Sequence, residues 1–354
     1  MSMAKPVSSQ RRQWIAAAER DAGSMSRDQF LSNIQSPNAD TRFAAWIQAG
    51  KQAPDVIDPL GKLLESKQPG VVKAASAALE QLAHSVGKTT GTPRRKEVTN
   101  QLRALLKQDS KKIRVFALRC LSLIAEEDTI PAIAPLLKNP ELFEEAIYCL
   151  ERTPGQAADQ AIIQVLDEVP DYQKIRVMAA LGHRQVEAAS VAIGKNLASP
   201  NKDVAIAAMK AIARIGLKPD DVSPPDPKFF SPWQQTEAID SMFRYAEKQA
   251  QKGNVEEEFA FYKIVLTDKE NGHIEEHHRC AAVQGLARLP QSEAFDVMLA
   301  GLEDKSYIVR TTTMNLLASL PGELVDNRLK AALSKSEGLR KEALDAVIKQ
   351  RAKK

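Results

Sequence analysis

The sequence contains few of the residues that most often mark a secreted or catalytic protein. Its 354 residues include three cysteines, five histidines and 5% aromatic residues. Cys120, Cys149 and Cys280 are an odd number and each lies within an apolar helical pattern, so we expect buried free thiols. No segment approaches eighteen consecutive apolar residues, and the first residues contain no apolar run of signal-peptide length. We therefore expect a soluble, cytoplasmic protein.

The scarcity of aromatic residues also bears on the fold. Ala, Leu, Lys and Glu are abundant, and these residues favour helix over strand. The chain is also longer than the size at which a single globular core usually stops growing. The composition therefore predicts an all-α protein without a sheet, built either as two domains or as an elongated repeat.

A nine-residue pattern recurs along the chain. The fifth residue of each copy is Ala in seven copies, with Val177 and Thr313 as exceptions, and the ninth is Leu, Ile or Val in eight, with Ala49 as the exception. A shorter apolar stretch precedes each copy, which indicates two helices per period, and one such hairpin cannot bury its apolar stripe alone. The pattern predicts an α-solenoid, a superhelix of stacked antiparallel helical hairpins. The copies start at residues 41, 71, 113, 142, 173, 204, 278, 309 and 339.

The repeat resembles the HEAT family, and its spacing is most similar to the short bacterial form found in phycobilin lyase-type proteins. The family's Val-Arg pair at the start of the second helix is matched by Ile113-Arg114, His278-Arg279, Val309-Arg310 and Leu339-Arg340, and by Arg42 after Thr41. Four copies depart from the pair, with Val72, Phe143, Lys174 and Ala205 in the arginine position. The resemblance covers most of residues 26–350 and implies a fold more firmly than a function.

Two intervals in the repeat are too long. The first contains Thr92-Pro93, a helix cap followed by proline, and the basic cluster Arg94-Arg95-Lys96, which we interpret as part of a flexible loop. The second opens on a proline-rich stretch and continues into a hairpin that resembles a tetratricopeptide unit. We predict an N-terminal segment (1–25), a lobe of about six HEAT-like hairpins (26–216), a linker (217–233) and a C-terminal lobe holding the tetratricopeptide-like hairpin and about three further repeats (234–354).

Candidate sites for metal, nucleotide or catalysis have simpler explanations. His278 and Cys280 occupy the first and third positions of a repeat copy, and only a convergence of His273 and His277 would suit a transition metal. No histidine is followed by glutamate, the pair with which the HEAT-like deoxyhypusine hydroxylases hold iron. The Gly-Lys-Thr triplet at residues 87–89 lacks the earlier glycine of a phosphate loop, since position 82 is leucine. We expect no cofactor, no metal and no enzymatic activity.

Charge is divided along the chain. Residues 1–114 hold 19 Lys and Arg against 10 Asp and Glu, whereas residues 115–334 hold 23 against 32. A basic head and an acidic body favour different partner surfaces. A basic head also suits the phosphate backbone of a nucleic acid, which is the main alternative. Loading or chaperoning of a bilin, implied by the family resemblance alone, is a second alternative.

We predict a monomeric protein-interaction scaffold that uses no membrane. The HEAT resemblance implies that the second helices line the concave face, and the seventh residue of each copy should project there because the fifth and ninth face the core. That column shows no common residue type, as expected where packing does not choose the side chain. The candidate partner-binding residues are the basic cluster and the polar or aromatic members of the column, Arg94, Arg95, Lys96, Arg119, Tyr148, Lys210, Gln284 and Asn315.

Overall fold

The computed structural model describes residues 25–217, 230–267, 274–289 and 292–353. Within these ranges every regular element is a helix, which confirms the all-α prediction. None of the helices in these ranges is long and apolar enough to cross a bilayer. The chain forms two compact units, Met1–Pro170 and Asp171–Lys354.

The described part of the first unit contains nine α-helices. Short 3-10 segments at Ala49–Lys51, Pro54–Val56, Glu127–Thr129 and Ala134–Lys138 connect or extend them. In chain order the helices are α1 (Arg27–Ile34), α2 (Ala39–Trp46), α3 (Ile57–Leu63), α4 (Pro69–Val86), α5 (Pro93–Leu105), α6 (Lys111–Leu121), α7 (Ile130–Ile133), α8 (Phe143–Arg152) and α9 (Gln156–Val165).

The described part of the second unit contains ten α-helices. Its 3-10 segments are Glu187–Ala189 and Leu299–Glu303. In chain order the helices are α10 (Asp171–His183), α11 (Ser190–Gly194), α12 (Lys202–Ile215), α13 (Pro232–Gln251), α14 (Val255–Thr267), α15 (Glu276–Leu286), α16 (Ser292–Met298), α17 (Tyr307–Ser319), α18 (Glu323–Leu333) and α19 (Gly338–Arg351).

The burial of side chains confirms the repeat register. The fifth residue of each copy is completely buried in eight copies, and in the ninth copy Ala343 is half-buried. The ninth residue is buried in all nine copies, including Ala49. These two positions lie four residues apart on one face of each second helix and supply the core between neighbouring hairpins. Each unit is therefore a stack of helical hairpins that follow the same packing rule.

In three copies, the arginine at the second position binds the loop that precedes its own helix. Arg42 donates to the carbonyl oxygens of Ser36 and Pro37, at 2.6 and 2.9 Å. Arg310, the second residue of the copy that starts at residue 309, makes the same contact with the carbonyl oxygens of Asp304 and Lys305, at 2.7 and 3.0 Å. Guanidinium groups thus satisfy backbone acceptors just before a helix begins, which gives this recurrent arginine a structural role.

The irregular hairpin predicted after the proline-rich stretch is present. It consists of α13 and α14, joined by a turn in which Gly253 has a φ of 94°. Ser231 caps α13 and Pro232 occupies its first turn. Residues 218–229 of the predicted linker lie outside the described residues. The helices on either side of them, α12 and α13, pack against each other within the second unit.

Candidate partner-binding face

The seventh residue of each repeat copy remains at the surface, in contrast to the fifth and ninth. Ile47, Ala77, Ala179, Lys210 and Asp345 are half-buried, and the other four are exposed. The exposed four are Arg119, Tyr148, Gln284 and Asn315. We call these nine side chains the seventh-position face, a name that covers one face in each unit. Its residue types differ because packing constrains their size and polarity much less than at the buried positions.

In the first unit, this face includes an exposed tyrosine and an exposed arginine. Tyr148, on α8, is 45% exposed, and the guanidinium carbon of Arg152 lies 5.5 Å from its ring centroid. Arg119, on α6, places Nη2 3.4 Å from Oε1 of Glu145. An exposed tyrosine with a guanidinium group over its ring combines apolar contact area with hydrogen-bonding groups, a composition typical of protein-binding surfaces.

In the second unit, the corresponding position pairs a lysine with a carboxylate and an indole ring. Lys210, on α12, forms an ion pair with Glu237 on α13. Its ammonium nitrogen lies 5.9 Å from the ring centroid of Trp233, which is 63% exposed. Reasoning from the sequence missed Trp233 because it lies at the end of the predicted linker. A tryptophan directly after a capping serine and a proline was the signal that could have located it on a helix.

Gln284 and Asn315 extend the seventh-position face along the second unit. Gln284 lies on α15 and Asn315 on α17, and these helices pack against each other. Both are exposed amides. An amide offers two donors and two acceptor sites without a charge, so this part of the face suits hydrogen bonding to a neutral surface.

The basic cluster at residues 94–96 was predicted to lie on a flexible loop, and this prediction is wrong. Thr92 caps α5 and accepts from the backbone N–H of Arg95, so the cluster forms the first turn of the helix. Arg94 donates to the carbonyl oxygens of Gly50 and Gln52, at 2.7 and 2.9 Å. Of the three side chains, Lys96 alone is exposed.

Arg95 is buried and holds two loops together. Its Nη1 donates to the carbonyl oxygens of Val86 and Gly87, at 3.1 and 2.8 Å, and its Nη2 to that of Ile124, at 2.8 Å. Its Nε lies 2.7 Å from Oε1 of Glu126, an ion pair without the straight geometry of a hydrogen bond. Cations are unfavourable at a helix N-terminus, and these oxygens compensate for that position. Arg95 is therefore a structural residue and is removed from the partner-binding candidates.

Of the two adjacent histidines on α15, His277 and His278, the second is held in place by ring packing and a backbone hydrogen bond. His278 is buried, its ring stacks at 6.2 Å on Phe243, and its Nδ1 accepts from the backbone N–H of Glu275 at 3.3 Å. Burial, reinforced by the neighbouring His277, lowers the pKa of His278 to about 4, although the carboxylate of Asp240, 3.7 Å away, acts in the opposite direction. The side chain is thus neutral at pH 7. His273 lies outside the described residues.

The cysteines match the expectation of free thiols. Cys120 and Cys149 are completely buried, and Cys280 is half-buried. Burial raises the pKa of Cys149 to about 12 and raises that of Cys120 further. A protonated, inaccessible thiol is a poor nucleophile and a poor metal ligand. Within the described ranges, no group of three or more His, Cys, Asp or Glu side chains is placed to hold a metal ion.

Comparison with known proteins adds little to this description. No protein-family model and no curated protein matches the chain. The crystal structure of an engineered protein is 16% identical over 98% of this chain and 96% of its own, with a TM-score of 0.32. A designed armadillo repeat protein is 19% identical over 54% of this chain and 100% of its own, with a TM-score of 0.31. At this level of similarity, the assignment as a helical-repeat protein rests on the helices and the register described above.

Proposed function

We propose that the chain is a non-catalytic scaffold that binds a partner protein through the seventh-position face. One observation carries the proposal. The fifth and ninth residues keep one chemistry and are buried, whereas the seventh changes from arginine to tyrosine, lysine, glutamine and asparagine and stays at the surface. Stacked hairpins create extended surfaces of this kind, on which each repeat contributes one or two contact residues.

The finer family relationship belongs to the same proposal. The arginines at the second position and the two-helix period support a HEAT-like repeat, and the helical hairpin with the buried Tyr262 and the turn at Gly253 supports a tetratricopeptide-like unit. In HEAT proteins the second helices form the binding face. This is the row of helices that bears the seventh-position face here.

Nucleic-acid binding has less support than protein binding. Arg94 and Arg95, two members of the basic cluster, are committed to backbone carbonyl oxygens of the protein itself. Because Arg95 is buried, a phosphate contact by this residue would have to replace these bonds. The exposed Tyr148 and Trp233 belong to the seventh-position face and its rim, and both carry a cation close to the ring. Such rings are common anchors at protein interfaces.

Photo-crosslinking tests the proposal directly. Benzoylphenylalanine would replace Arg119, Tyr148, Gln284 or Asn315 in separate variants, and Lys107 or Leu324 in two controls that are exposed off this face. Each variant would be irradiated in extract of the source cells. We expect the four face variants to give shared crosslinked bands that protease removes and nuclease does not. Nuclease-sensitive bands, or the same bands from the controls, would contradict the proposal.

A further inference from the structure

The second unit contains an apolar cavity that the repeat register does not account for. Its volume is about 350 Å³, and it lies among α12, α13, α14 and the residue Leu197 that follows α11. The walls are formed mainly by methionine, isoleucine and aromatic side chains, namely Met209, Ile212, Met242, Phe261 and Ile264. Methionine and aromatic side chains are enriched in binding surfaces because they adapt their shape and offer a large contact area.

The cavity exists because the α13–α14 hairpin departs from the register. In the regular copies, a small fifth residue and a branched ninth residue fill the space between neighbouring hairpins. Against α12, the hairpin instead presents Met242 and Tyr245 from α13 and Phe261 from α14, and all three are half-buried. Long and flat side chains at this junction leave a volume that no residue of the described chain fills.

The cavity is open along α14. Ala260 is exposed, and 55% of the surface of Ile264 is accessible. Pockets for small molecules usually enclose most of the ligand's surface. An open cavity of this kind instead suits side chains inserted from a larger body that remains outside and covers the rim. Exposed apolar residues around an apolar depression indicate such an interaction.

The charged residue in the cavity lining is a glutamate. Glu257 lines the cavity, and the exposed Glu256 precedes it in the first turn of α14. Glu258 is buried and accepts a 2.8 Å hydrogen bond from the hydroxyl of Tyr262, so it is not available. The Ser241 hydroxyl donates to the carbonyl oxygen of Glu237. The charged group presented to an occupant is therefore a carboxylate, which favours a basic side chain.

We infer that this cavity docks an amphipathic helix of a partner protein, which inserts apolar side chains one turn apart and pairs a lysine or arginine with Glu257. Side chains three or four residues apart on a helix lie on one face, so a single helix can insert several of them into an apolar depression between helices. The inference rests on the proposed scaffold function and adds a second, chemically distinct contact to it. The cavity and all its walls lie within residues 197–264, inside one unit.

A designed peptide tests the inference with the full-length protein. The probe is a fluorescein-labelled peptide of Leu, Ala and Lys whose leucines are three and four residues apart, and its binding is followed by fluorescence anisotropy. Two comparison peptides carry Glu in place of Lys, or the same residues in scrambled order. We expect the probe to bind more tightly than the scrambled peptide by about tenfold or more, and the Glu peptide to bind weakly.

Substitutions locate the binding site. Ala260→Gln places a polar side chain at the mouth of the cavity and should weaken probe binding about tenfold. Glu257→Gln should weaken it about threefold and reduce the preference for the Lys peptide over the Glu peptide. The matched controls are Leu324→Gln and Glu293→Gln, which change an exposed leucine and an exposed glutamate outside the cavity and should leave binding unchanged. Circular dichroism would verify that all four variants keep their helices.

Several outcomes would overturn the inference. The first is that the scrambled peptide binds as tightly as the probe, and the second is that the control variants lose as much binding as the cavity variants. The third is that no peptide binds, while the neutral dye N-phenyl-1-naphthylamine binds the original protein and does not bind Ala260→Gln. This third result would identify a small-molecule pocket. If the photo-crosslinks of the seventh-position face occur and the peptide does not bind, this inference fails and the scaffold function stands. If the peptide binds and those crosslinks are absent, the seventh-position face is the part that fails.

Discussion

The two units follow one packing register but place their polar side chains differently. In the first unit the buried arginine, Arg95, lies at a helix terminus, where it binds the carbonyl oxygens of neighbouring loops. In the second unit polar groups enter the core between helices, as with Tyr262, His278 and Thr313, which are almost completely inaccessible. Arginines fix loops in both units, since Arg310 does the same in the second, and the second unit additionally places the polar rings of Tyr262 and His278 within helix packing.

The difference follows from the α13–α14 hairpin. Phe243, Phe261 and Tyr262 form an aromatic group, with ring centroids 4.8 to 6.0 Å apart. Such rings need more room than the alanines of the regular copies, and glycine supplies it where Tyr262 approaches α15. Adding a large hairpin to a stack of small-residue helices therefore introduces glycine contacts, buried polar groups and an open cavity in the same unit.

The largest effect is expected from Gly285→Ala. A Cβ atom at position 285 would lie 2.1 Å from Cε2 of the Tyr262 ring, which is buried and held by the bond to Glu258. Because the ring cannot move aside freely, we expect the free energy of unfolding to fall by about 3 kcal/mol or more. Chemical denaturation followed by circular dichroism would measure it.

The first unit provides the matched glycine. At Gly61 of α3 the added Cβ would meet the flexible aliphatic end of the Leu105 side chain at 2.9 Å, a longer distance than the 2.1 Å to the Tyr262 ring. Alanine also favours helix at this position, so we expect Gly61→Ala to change stability by less than about 1 kcal/mol. Equal losses at positions 61 and 285 would show that the aromatic packing of the second unit is not special.

The next largest effect on stability is expected at Arg95, the buried arginine of the first unit. Arg95→Met keeps the apolar part of the side chain and removes its donors from three carbonyl oxygens and from Glu126. Leaving Glu126 and the Gly87 and Ile124 carbonyl oxygens without these donors should cost about 3 kcal/mol of unfolding free energy. Lys96→Met, one residue later on an exposed side chain, should change it by less than about 0.5 kcal/mol. If Arg95→Met lowers the free energy of unfolding as little as Lys96→Met does, Arg95 contributes no more to stability than an ordinary surface residue.

The sequence was sufficient to predict the features that depend on local pattern. The fifth and ninth positions, the cap at Thr92 and the glycine turn at position 253 all follow from spacing and residue type, and the structure confirms them. The role of Arg95 could not be predicted in this way, because one of its acceptors, the Ile124 carbonyl, is 29 residues away. Pattern reasoning classifies a cluster of three basic residues as surface. Only the three-dimensional arrangement shows which of them is enclosed.

The candidate site was predictable to a similar extent. The seventh position could be assigned to the surface because it faces away from two buried positions. Trp233 and the cavity beside Phe261 could not, because both arise where the hairpin leaves the register and long side chains from separate helices meet. A break in a repeat pattern shows where regular packing ends. It does not show what shape results.

A smaller, pH-dependent effect is expected at His278. The pKa of its folded form, about 4, lies below the value of 6.5 for an unperturbed histidine, so the unfolded chain binds this proton more readily. Stability should therefore fall as the pH decreases from about 6.5 through 4, with a contribution on the order of 2 kcal/mol. His278→Leu, which resembles the apolar first residue of other copies, should remove this contribution. Denaturation at several pH values would show a shallower decline for the variant.

A histidine of the first unit serves as the control for this measurement. His84 is exposed on α4, so its surroundings change less on unfolding than those of His278. We expect His84→Leu to leave the pH dependence of stability the same as in the original protein. If both variants behave alike, protonation of His278 does not limit the stability of the second unit in acid.

The smallest effect distinguishes the turns of the two units. Gln185 has a φ of 54° and ends α10, where its N–H bonds to the Gly182 carbonyl and the N–H of Val186 bonds to that of Leu181. This arrangement is a helix C-cap that favours glycine. In the described part of the first unit, the left-handed positions, Gly91 and Gly155, are both glycines.

Exchanging the residues of these turns completes the comparison. Gln185→Gly removes backbone strain, but the unfolded chain gains freedom and an exposed bond from Lys248 is lost, so we expect a net gain of only about 0.5 kcal/mol. Gly91→Gln introduces the strain at a position where an added Cβ would contact nothing, so the backbone alone should cost about 1 kcal/mol. Opposite signs in thermal denaturation would show that the strain belongs to the backbone conformation. A loss of stability on Gln185→Gly would mean instead that the Gln185 side chain, through Lys248, contributes more to the second unit than the strain removes.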